Sequence, residues 1–590
     1  MRTCSFKHPQ SCSFLAWFLF LLSIIGNSVG SSICIEKERQ ALLSFKHNIS
    51  DPNNLLSSWT DGDDDDCCKW EGVGCDNRTG HVVAVDLGPK TMCINEASCT
   101  PDWDCDINPA IQGEISPSLL DLPFLNYLDL SCNQFERIPR FFGSLGKLVH
   151  LDLSYNNFVG NVPPQLGNIS TLKYLDIDNG NDQLKVVGTL EWVSHLDSLE
   201  YLSLDSVDLF SASNCLESIS KLSLLRTLHL SYFNFPDPSS LLHLNSSRFL
   251  QHLSLDQGNL TSPILNLWLN QSSNLIQLSL TDTKLYGMVP NVLNKMHSLE
   301  YLDLSLNYLE ELILSCEKVI QVLKLRSNKI VGSLDYIHRF SSLRTLDLAD
   351  NKLSGSLPDM SAMLSLKEFV ISNNRMVGNL TGSNIGHLAR LTALDVSSNF
   401  LEEVIHETHF SNFSKLVFLS LSSNQFKLKL STHWIPPFRL SMLSLSSCKL
   451  GPKFPFWLQT QTNLGYIDIS DNEISDIIPQ WLSNLTHLSS LNISKNWLRG
   501  IPPDLASTFF AIDLSSNWLK GPIPKNYSGT GKIPECLGQY AGNYLQFLNL
   551  ASNNFFGEIP SSIGESFNWG YSGMDWGKLN KVKGPLPALK

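Results

Sequence analysis

Hydrophobic residues recur along this chain at a fixed spacing, and one complete copy of the pattern is LRTLDLADNKLSGSLP, from Leu343 to Pro358. Leu346 and Leu348 are two positions apart, so a short strand points both side chains inward. The alternate positions of this strand are expected to face solvent, and they are Thr345, Asp347 and Ala349. The pattern therefore predicts a strand with one face in a core and the other face free.

The residues after this strand predict a turn and an irregular return path. The amide of Asn351 can hydrogen bond backbone groups that no sheet partner satisfies. Gly355 and Pro358 disfavour a regular helix, while Leu353 and Leu357 anchor the return path to the core. The full spacing, L-x-x-L-x-L-x-x-N-x-L-x-G-x-L-P, is that of the leucine-rich repeat.

The second inward residue of each strand marks the repeats, which follow one another at steps of mostly about 21 to 27 residues. These markers are Leu130, Leu153, Ile177, Leu204, Leu230, Leu255, Leu280, Leu304, Leu325, Leu348, Ile371, Val396, Leu421, Leu445, Ile469, Ile493, Leu514 and Leu550. Because each repeat packs only on its neighbours, such an array can extend as one long domain.

The asparagine position of the repeats is filled unevenly. Asparagine is present at Asn133 and Asn156 and again at Asn307, Asn328, Asn351, Asn374, Asn399 and Asn424. Between these groups the position holds Gly180, Val207, Phe233, Gly258 and Thr283. Losing the side-chain hydrogen bond should loosen the local curvature, and proteins often break their own pattern at functional sites. The alternative is drift in a tolerant array.

The same section carries unusual residues at the solvent positions of its strands and just beyond. They are His229, Tyr232, His252, Asp256, Gln277 and Asp282, followed by Lys324 and Arg326. A mixed aromatic, imidazole and charged surface suits protein or peptide recognition, so this group is the predicted ligand-binding surface. Each residue taken alone fits ordinary solvated surface better than a ligand contact, and the prediction rests on the group.

Composition and motifs narrow the function further. The net charge of −13 and pI near 5.6 argue against a nucleic-acid groove. The protein-kinase motifs G-x-G-x-x-G-x-V, V-A-I-K, H-R-D and D-F-G are absent from the sequence, so signalling chemistry must come from a partner.

Aspartates recur at one strand position, as at Asp303, Asp347, Asp395, Asp468 and Asp513, which is a feature of the repeat and not a catalytic carboxylate pair. We predict a protein that is not an enzyme and needs no cofactor or metal.

The N-terminus predicts secretion. Arg2 and Lys7 precede an apolar stretch from Phe14 to Ile25, and Ser28 and Gly30 offer small residues for cleavage. A membrane anchor is the weaker alternative, because a span needs roughly 18 to 20 apolar residues. Acceptor sequences for N-glycosylation agree with an extracellular address. They lie at Asn48, Asn77, Asn168, Asn245, Asn259, Asn270, Asn379, Asn412, Asn484, Asn492 and Asn526.

A cap precedes the repeats. In EKERQALLSFKHNI, Leu42, Phe45 and Ile49 have helical spacing, which predicts an amphipathic helix over the open end of the array. The nearby cysteines, Cys34, Cys67, Cys68 and Cys75, allow three pairings, of which two bridges across the cap are the economical choice. The acidic run from Asp61 to Asp66 fits a solvated loop better than a calcium site.

The other cysteines fall into two kinds. Cys93, Cys99 and Cys105 lie in an insertion and, with Cys132, predict a second local disulfide group; a zinc site is the alternative. Cys448 fills an asparagine position and is expected to be a buried thiol, and Cys215 is a candidate unpaired thiol.

The cap sequence CIEKERQALLSFK…LSSWT…CCKWEGVGCDNRTGHVVAVDL resembles the N-terminal cap of plant leucine-rich-repeat receptors. That resemblance implies the pairs Cys34–Cys67 and Cys68–Cys75. The segments LEWVSHLDSLEYLSLDS and HWIPPFRLSMLSLSSCKLGPKFPFWLQ resemble plant receptor-like proteins similar to the fungal-xylanase (ethylene-inducing xylanase) receptors. We therefore predict an α/β solenoid, a leucine-rich-repeat right-handed superhelix with short parallel strands on the concave face and a disulfide-bonded N-terminal cap.

The predicted organisation is a signal peptide at 1–30, the cap at 31–80, the repeat array at 81–564 and an irregular tail at 565–590. The resemblance implies recognition of pathogen-derived protein or peptide ligands in plant innate immunity, with a leucine-rich-repeat receptor kinase adaptor and a co-receptor as partners. Intact relatives would continue into further repeats and a transmembrane helix, so this chain is expected to be a truncated form, extracellular if the truncation is real. The alternative is a secreted inhibitor of cell-wall-degrading enzymes or a soluble decoy.

Overall fold

The computed structural model describes residues 33–62, 66–88, 111–180, 183–235, 246–311, 319–503, 510–522 and 547–556. The described chain divides into two compact units, an N-terminal unit up to residue 308 and a C-terminal unit from residue 309 onward. The two units are described one at a time.

The N-terminal unit begins with the predicted cap helix, Glu36–His47, whose Leu42 and Phe45 side chains are fully buried. Glu36 and Glu38 lie in its first turn and Lys46 and His47 in its last, which suits the helix dipole. Ile49 lies beyond the helix, in a short strand that pairs antiparallel with Gln112–Gly113. The helix prediction is confirmed, and only its last apolar position belongs to a different element.

The main sheet of the N-terminal unit is built from the predicted repeat strands. Its strands are Val73–Cys75, Val82–Asp86, Tyr127–Asp129, His150–Asp152, Tyr174–Asp176, Tyr201–Leu204, Thr227–Ser231, His252–Asp256, Gln277–Ser279 and Tyr301–Asp303. The first pair is antiparallel and every later pair is parallel. The register aligns the first inward residue of each repeat, for example Leu128 with Leu151 and Leu175, so the leucines stack in one continuous core.

The C-terminal unit repeats the same arrangement. Its main-sheet strands are Val322–Lys324, Thr345–Asp347, Glu368–Val370, Ala393–Asp395, Phe418–Ser420, Met442–Ser444, Tyr466–Asp468, Ser490–Asn492, Ala511–Asp513 and Phe547–Asn549, all parallel. In both units the marker residues are buried. The prediction of tandem leucine-rich repeats is confirmed.

The return paths hold short helices and strands. The helices are Cys67–Lys69, Pro117–Asp121, Arg140–Ser144, Pro164–Asn168, Glu191–His195, Cys215–Ser220, Ser262–Trp268, Leu269–Gln271, Asn291–Lys295, Ile337–Arg339, Ile385–His387, Glu407–Phe410, Phe456–Thr460 and Gln480–Asn484. The strands are Ile49–Ser50, Gln112–Gly113, Gln134–Phe135, Gly160–Asn161, Leu184–Lys185, Val207–Asp208, Tyr286–Met288, Tyr308–Glu311, Val331–Gly332, Lys352–Ser356, Arg375–Val377, Glu402–Ile405, Gln425–Leu428, Arg499–Gly500, Trp518–Gly521 and Asn554–Phe555. Gly355 has φ +88°, which explains why glycine stands at that repeat position.

Asn351 makes the predicted backbone hydrogen bonds. Its Oδ1 accepts from the Ile330 amide at 3.0 Å, and its Nδ2 donates to the carbonyls of Leu325, Leu348 and Ala349 at 2.9, 3.1 and 3.1 Å. Each asparagine therefore ties its own turn to the preceding repeat.

The expectation that Ala349 faces solvent is wrong, because its side chain is fully buried. The Arg326 guanidinium spans Asp347 and Asp350, which flank this alanine in sequence, at 3.1 and 3.0 Å. The burial does not depend on this ion pair, because Ser131 is also buried at the corresponding position of another repeat.

The run of repeats without a turn asparagine begins one repeat later than the sequence predicts. Asn179, one position before Gly180, is buried and takes over the role: its Oδ1 accepts from the Phe158 amide at 3.0 Å and its Nδ2 donates to the Phe158 carbonyl at 2.7 Å. The repeat of Ile177 thus keeps its asparagine after a shift of one residue. No observation tests the predicted loosening of curvature.

In the middle of the repeats that lack the asparagine, packed aromatic rings occupy the turn. Phe233 is fully buried, and its ring lies against Gly258, where an added Cβ would be 2.3 Å from the ring. Phe233 also contacts Phe235 with 4.4 Å between ring centroids, and Phe235 meets Trp268 at 6.3 Å. The apolar residues at these positions fill the turn that asparagine amides fill elsewhere.

The cap disulfides are Cys34–Cys67 and Cys68–Cys75, the pairs that the family resemblance implies. Asp66 is not merely solvated, because its Oδ1 accepts from the amides of Cys34 and Cys68 at 3.0 and 3.2 Å. The prediction of a solvated loop is therefore wrong at this residue, which fixes the backbone beside both bridges.

The remaining cysteine predictions are partly confirmed. Cys132 is disulfide-bonded, while Cys93, Cys99 and Cys105 lie outside the described residues. Cys215 and Cys448 are free and buried, and burial raises the pKa of the Cys215 thiol to about 11 and that of Cys448 to about 12. Both thiols are therefore protonated and unreactive near neutral pH.

Two further predictions concern segments that the structure does not describe, namely the signal peptide at 1–30 and the tail at 565–590. Within the described ranges, no helix has both the length and the apolar character to cross a bilayer.

Candidate functional site

The predicted ligand-binding residues of the N-terminal unit lie on three adjacent strands and the turns that follow them. His252 and Gln277 occupy the same position of neighbouring strands, and the His252 Nδ1 lies 3.3 Å from the Gln277 Oε1. The His229 Nδ1 lies 3.8 Å from an Asp205 carboxylate oxygen. Asp256 accepts from the Ser254 and Ser279 hydroxyls and from the Thr281 amide, and burial raises its pKa to about 6. The structure brings these residues together on neighbouring strands and pairs several of their polar groups within the chain. The predicted solvent exposure is wrong for His252, which is buried.

The other predicted residues are placed differently. Tyr232 and Asp282 follow their strands in left-handed backbone conformations, with φ 50° and 54°. Lys324 and Arg326 belong to the C-terminal unit, where Arg326 is held in the ion pairs with Asp347 and Asp350. None of these placements tests ligand binding, which stays a prediction.

Most of the described glycosylation acceptors are exposed and lie away from the strand face, as at Asn168, Asn270 and Asn484 on the return-path helices. Asn492 is the exception, because it is a strand residue whose Oδ1 accepts from Ser494. Asn245 and Asn526 lie outside the described residues. A predicted glycan at Asn492 would stand on the strand face of the C-terminal unit and leave that of the N-terminal unit free.

A column of aromatic rings that the sequence prediction missed runs across the N-terminal strand face. Tyr127, His150, Tyr174 and Tyr201 occupy one position of four consecutive strands. Their rings stack nearly parallel at centroid distances of 4.2, 4.1 and 4.2 Å. All four residues are intermediate between buried and exposed.

A column of carboxylates runs beside the rings. Asp86, Asp129, Asp152 and Asp176 occupy one position of four consecutive strands. The tyrosine hydroxyls donate to them: Tyr127 to Asp129 at 3.4 Å, Tyr174 to both Asp152 and Asp176 at 3.4 Å, and Tyr201 to Asp176 at 3.1 Å. Neighbouring strands are about 4.8 Å apart, so adjacent carboxylates repel one another.

Burial and the repulsion between neighbouring carboxylates shift the pKa values of these aspartates, and burial shifts that of His150. Burial, together with the charges of Asp129 and Asp176, raises the pKa of Asp152 well above its usual value. Burial likewise raises the pKa of Asp129, and raises that of Asp176 to about 6. Burial lowers the pKa of His150 to about 3, so its ring is neutral and contributes no compensating charge.

The C-terminal unit has the same strand position but no such row. The residues that occupy this position on successive strands of its sheet are Lys324, Asp347, Val370, Asp395, Ser420, Ser444, Asp468, Asn492, Asp513 and Asn549. No two carboxylates are adjacent in this series of described strands. The carboxylate column is thus specific to the N-terminal unit and is not a general property of the repeat.

We expect the carboxylate column to make the N-terminal unit more stable at pH 5 than at pH 7. Raised pKa values mean that the native state binds protons more tightly than the unfolded state, so the cost of charging the column is present above about pH 6 and disappears as the pH falls. Neighbouring titratable groups are Asp178, His229 and the tyrosines; burial raises the pKa of Tyr174 and Tyr201, so they stay neutral.

Urea denaturation at the two pH values should give a free energy of unfolding larger at pH 5 by on the order of 1 to 3 kcal/mol. Asp152→Asn should raise stability at pH 7 and reduce this pH dependence. Asp468→Asn, which changes an isolated carboxylate in the same strand position, should do neither. Greater stability at pH 7 than at pH 5 would contradict the assignment of a repulsive row.

Family profiles match most of the repeat-bearing sequence. The profile described as "Leucine rich repeat N-terminal domain" matches residues 35–76, and that described as "Leucine-rich repeat region" matches 110–319. Profiles described as "Leucine rich repeat" match 438–498, 342–364 and 544–566.

Curated relatives are plant receptor-like proteins. The chain is 36% identical over 538 residues to "Receptor-like protein EIX1" of Solanum lycopersicum, an alignment that covers 76% of this chain and 51% of the relative. It is 34% identical over 540 residues to "Receptor-like protein EIX2" of the same species, with the same coverage. The chain therefore spans about half the length of these curated relatives.

Solved structures share the fold. The ectodomain of the Arabidopsis receptor kinase HAESA, in complex with an N-terminally extended IDA peptide hormone, aligns with a TM-score of 0.57 at 24% identity, covering 90% of this chain and 91% of that one. A second HAESA structure, with the peptide hormone IDA and the co-receptor SERK1, aligns with a TM-score of 0.53 at 24% identity over 91% and 93% of the two chains.

Proposed function

Since the chain belongs to the leucine-rich-repeat proteins and is similar to plant receptor-like proteins, we propose that it recognises a protein or peptide ligand outside the cell and has no enzymatic activity itself. The observation that carries this proposal is the N-terminal strand face, where a column of partly exposed rings and a column of carboxylates lie side by side. Aromatic rings and polar groups on a rigid scaffold are what protein and peptide interfaces use.

The proposed ligand is a pathogen-derived protein or peptide, with a fungal xylanase of the ethylene-inducing type as the first candidate. The tomato relatives support the receptor class, and the solved HAESA ectodomains support the capacity of this fold to hold a peptide hormone. The mixed surface around His252 and Gln277 extends the aromatic column along the same sheet. These features lie on consecutive strands of one sheet, and a protein ligand would cover about 800 Å² of such a surface.

Signalling is proposed to pass through a receptor kinase adaptor and a co-receptor kinase in plant innate immunity. A ligand that contacts two ectodomains stabilises their association by the difference in its contact energy between the separate and associated states. The HAESA complex that contains both a peptide hormone and SERK1 is an example of such an assembly in another protein. In this account the chain supplies recognition and its partners supply catalysis.

A glycan placed on the strand face tests where the ligand binds. Gln277→Asn creates an acceptor sequence with Leu278 and Ser279 on the N-terminal sheet. We expect the glycosylated variant to lose binding to a fungal xylanase of the ethylene-inducing type, measured by biolayer interferometry on the secreted glycoprotein. A glycan at this position should block a protein ligand sterically without altering the core, because Gln277 is only partly buried.

Two matched variants control this experiment. Gln277→Ala removes the same amide without adding a glycan and should retain most of the binding. Asn270→Gln removes a predicted glycan from the exposed return path of the preceding repeat and should have no effect. Undiminished binding by the glycosylated Gln277→Asn variant would contradict recognition on this face. Inhibition of xylanase hydrolysis in the same assay would favour the enzyme-inhibitor alternative.

A further inference from the structure

Within the described part of the chain, the carboxylate column of the N-terminal unit lacks a cationic partner. Among the described residues, no Lys or Arg side chain forms an ion pair or hydrogen bond with Asp129, Asp152 or Asp176; their side-chain partners are tyrosine and serine hydroxyls. Charged groups in a row within a partly buried surface are stabilised by an opposite charge. The column is therefore ready to accept a cation from outside the chain.

The C-terminal unit shows which kind of cation fits this strand position. Arg326 reaches across from the neighbouring strand, where its Nε donates to Asp347 at 3.1 Å and its Nη1 donates to Asp350 at 3.0 Å. Asp347 occupies the same repeat position as the carboxylates of the column. One guanidinium thus bridges two carboxylates on this type of surface, as its planar fork of donors allows.

The imidazole of His150, beside these carboxylates, gives a second and independent observation. Its Nε2 is buried and has no hydrogen-bond partner within the described part of the chain. A ring nitrogen of His150 and one carboxylate oxygen each of Asp129 and Asp152 lie within 4.8 Å of one another. Because burial keeps this imidazole neutral, one of its nitrogens is an acceptor. Tyrosine and serine hydroxyls donate to the two carboxylates, but no Lys or Arg of the described chain does, so the cluster offers acceptors to a cationic donor.

We propose that the cluster of Asp129, His150 and Asp152 binds an arginine side chain presented by the ligand. The guanidinium donates to the two carboxylates and to the imidazole nitrogen, while the aliphatic part of the arginine lies along the ring edges of Tyr127 and Tyr174. This inference rests on the proposed function and specifies the chemistry of the ligand at one place. It identifies the ligand as one that carries an exposed arginine-containing segment.

Asp152→Asn removes the charge of the central carboxylate while keeping the shape of the side chain. Asp152 accepts from the Ser154 amide at 2.9 Å and the Ser154 hydroxyl at 2.7 Å through one oxygen. Asn492 fills the same position in the C-terminal unit and accepts from the Ser494 amide and hydroxyl at 3.1 and 2.7 Å. Asp152→Asn therefore keeps both bonds to Ser154, and the Tyr174 hydroxyl retains its second acceptor, Asp176, so the protein should fold.

The matched control is Asp468→Asn. Asp468 accepts from the Ser470 amide and hydroxyl at 2.9 and 2.7 Å, as Asp152 does from Ser154. Its neighbours at the same strand position are Ser444 and Asn492, so it belongs to no carboxylate row. The two substitutions remove the same charge from the same serine-bonded geometry. Asp152 differs in lying in the carboxylate row and in accepting from the Tyr174 hydroxyl.

The experiment uses the secreted full chain and an immobilised glycine–serine peptide with a central Arg-Gly-Arg segment, compared with the same peptide containing citrulline. We expect the arginine peptide to bind at pH 7 and the citrulline peptide to bind at least about tenfold more weakly. Asp152→Asn should weaken binding of the arginine peptide by roughly 10- to 100-fold, the effect of losing one charge-assisted hydrogen bond. Asp468→Asn should leave it unchanged within about twofold.

A second variant tests the imidazole separately. His150→Phe preserves a flat ring between Tyr127 and Tyr174 but removes both nitrogens, so it should fold and should weaken binding of the arginine peptide. Near-ultraviolet circular dichroism would verify that the tyrosine stack is retained.

Three outcomes would overturn the inference. The first is equal binding of the arginine and citrulline peptides, and the second is an equal effect of Asp152→Asn and Asp468→Asn on that binding. The third is displacement of the arginine peptide by ZnCl2 or MnCl2, together with a metal-dependent rise in melting temperature that Asp152→Asn abolishes. The last outcome would assign the cluster to a divalent metal ion. The proposed function fails separately, if the strand-face glycan at Gln277→Asn does not affect binding of the protein ligand.

Discussion

Replacing Asn351 by alanine is expected to lower the free energy of unfolding of the C-terminal unit by about 3 to 5 kcal/mol. The side chain is buried and makes four hydrogen bonds to backbone groups, one with the Ile330 amide and three with carbonyls. Alanine leaves these groups in the core without partners, and each unsatisfied group costs about 1 to 3 kcal/mol, offset in part by relaxation and water. Chemical denaturation followed by circular dichroism measures the loss.

Asn463→Ala is the control for this prediction, because Asn463 is exposed and makes one long side-chain contact, with Thr462 at 3.4 Å. Its effect should stay within about 0.5 kcal/mol. Similar small effects for both variants would show that the buried asparagines are not what joins one repeat to the next.

Replacing Phe233 by alanine is expected to cost the N-terminal unit about 3 to 5 kcal/mol, the usual loss for a fully buried aromatic residue. Gly258→Ala alone should cost about 1 to 3 kcal/mol, because its new methyl group meets the Phe233 ring at 2.3 Å. Both effects follow from the ring filling the turn where other repeats place an asparagine.

The double variant distinguishes this packing from two independent defects. Once the Phe233 ring is removed, the methyl group of Gly258→Ala no longer collides with it and should cost little or even stabilise by filling space. The cycle should therefore give an interaction energy of about 1 to 3 kcal/mol. Strict additivity of the two losses would contradict the contact, and urea denaturation of the four proteins measures it.

The repeat fold could be predicted from the sequence because its signal is redundant. The spacing of Leu346 and Leu348 fixes which side of one strand enters the core, and every further repeat restates that choice. The marker residues are accordingly all buried. The amphipathic cap helix was predictable for the same reason, since Leu42 and Phe45 must lie on one face.

Local exceptions were not predictable from the spacing. Asn179 replaces the asparagine missing at position 180 through a one-residue shift, which depends on the backbone path and not on the repeat register in the sequence. Ala349 is buried although it lies at an alternate position, and Ser131 and Ser154 are buried at the corresponding position of other repeats. The alternation of one strand therefore does not describe the residues just beyond its end.

The candidate site illustrates the same limit. An aspartate at one strand position is common along this chain, and the individual residues Asp129 and Asp152 therefore look unremarkable in sequence. Their meaning comes from adjacency, because only the sheet register shows that four such residues follow one another in the N-terminal unit. Aligning the repeats by strand position and comparing the occupants of neighbouring repeats would have revealed both columns.

Hydroxyl-radical footprinting with mass spectrometry tests the central claim most directly, because tyrosine and histidine report their own exposure. The experiment compares the free chain with the chain bound to a fungal xylanase of the ethylene-inducing type. The account predicts that binding protects His150, Tyr174 and Tyr201 on the N-terminal strand face and leaves Phe456 and Trp518 on the return paths unchanged. Protection of the return-path residues with unchanged modification of the strand-face rings would contradict recognition by the strand face.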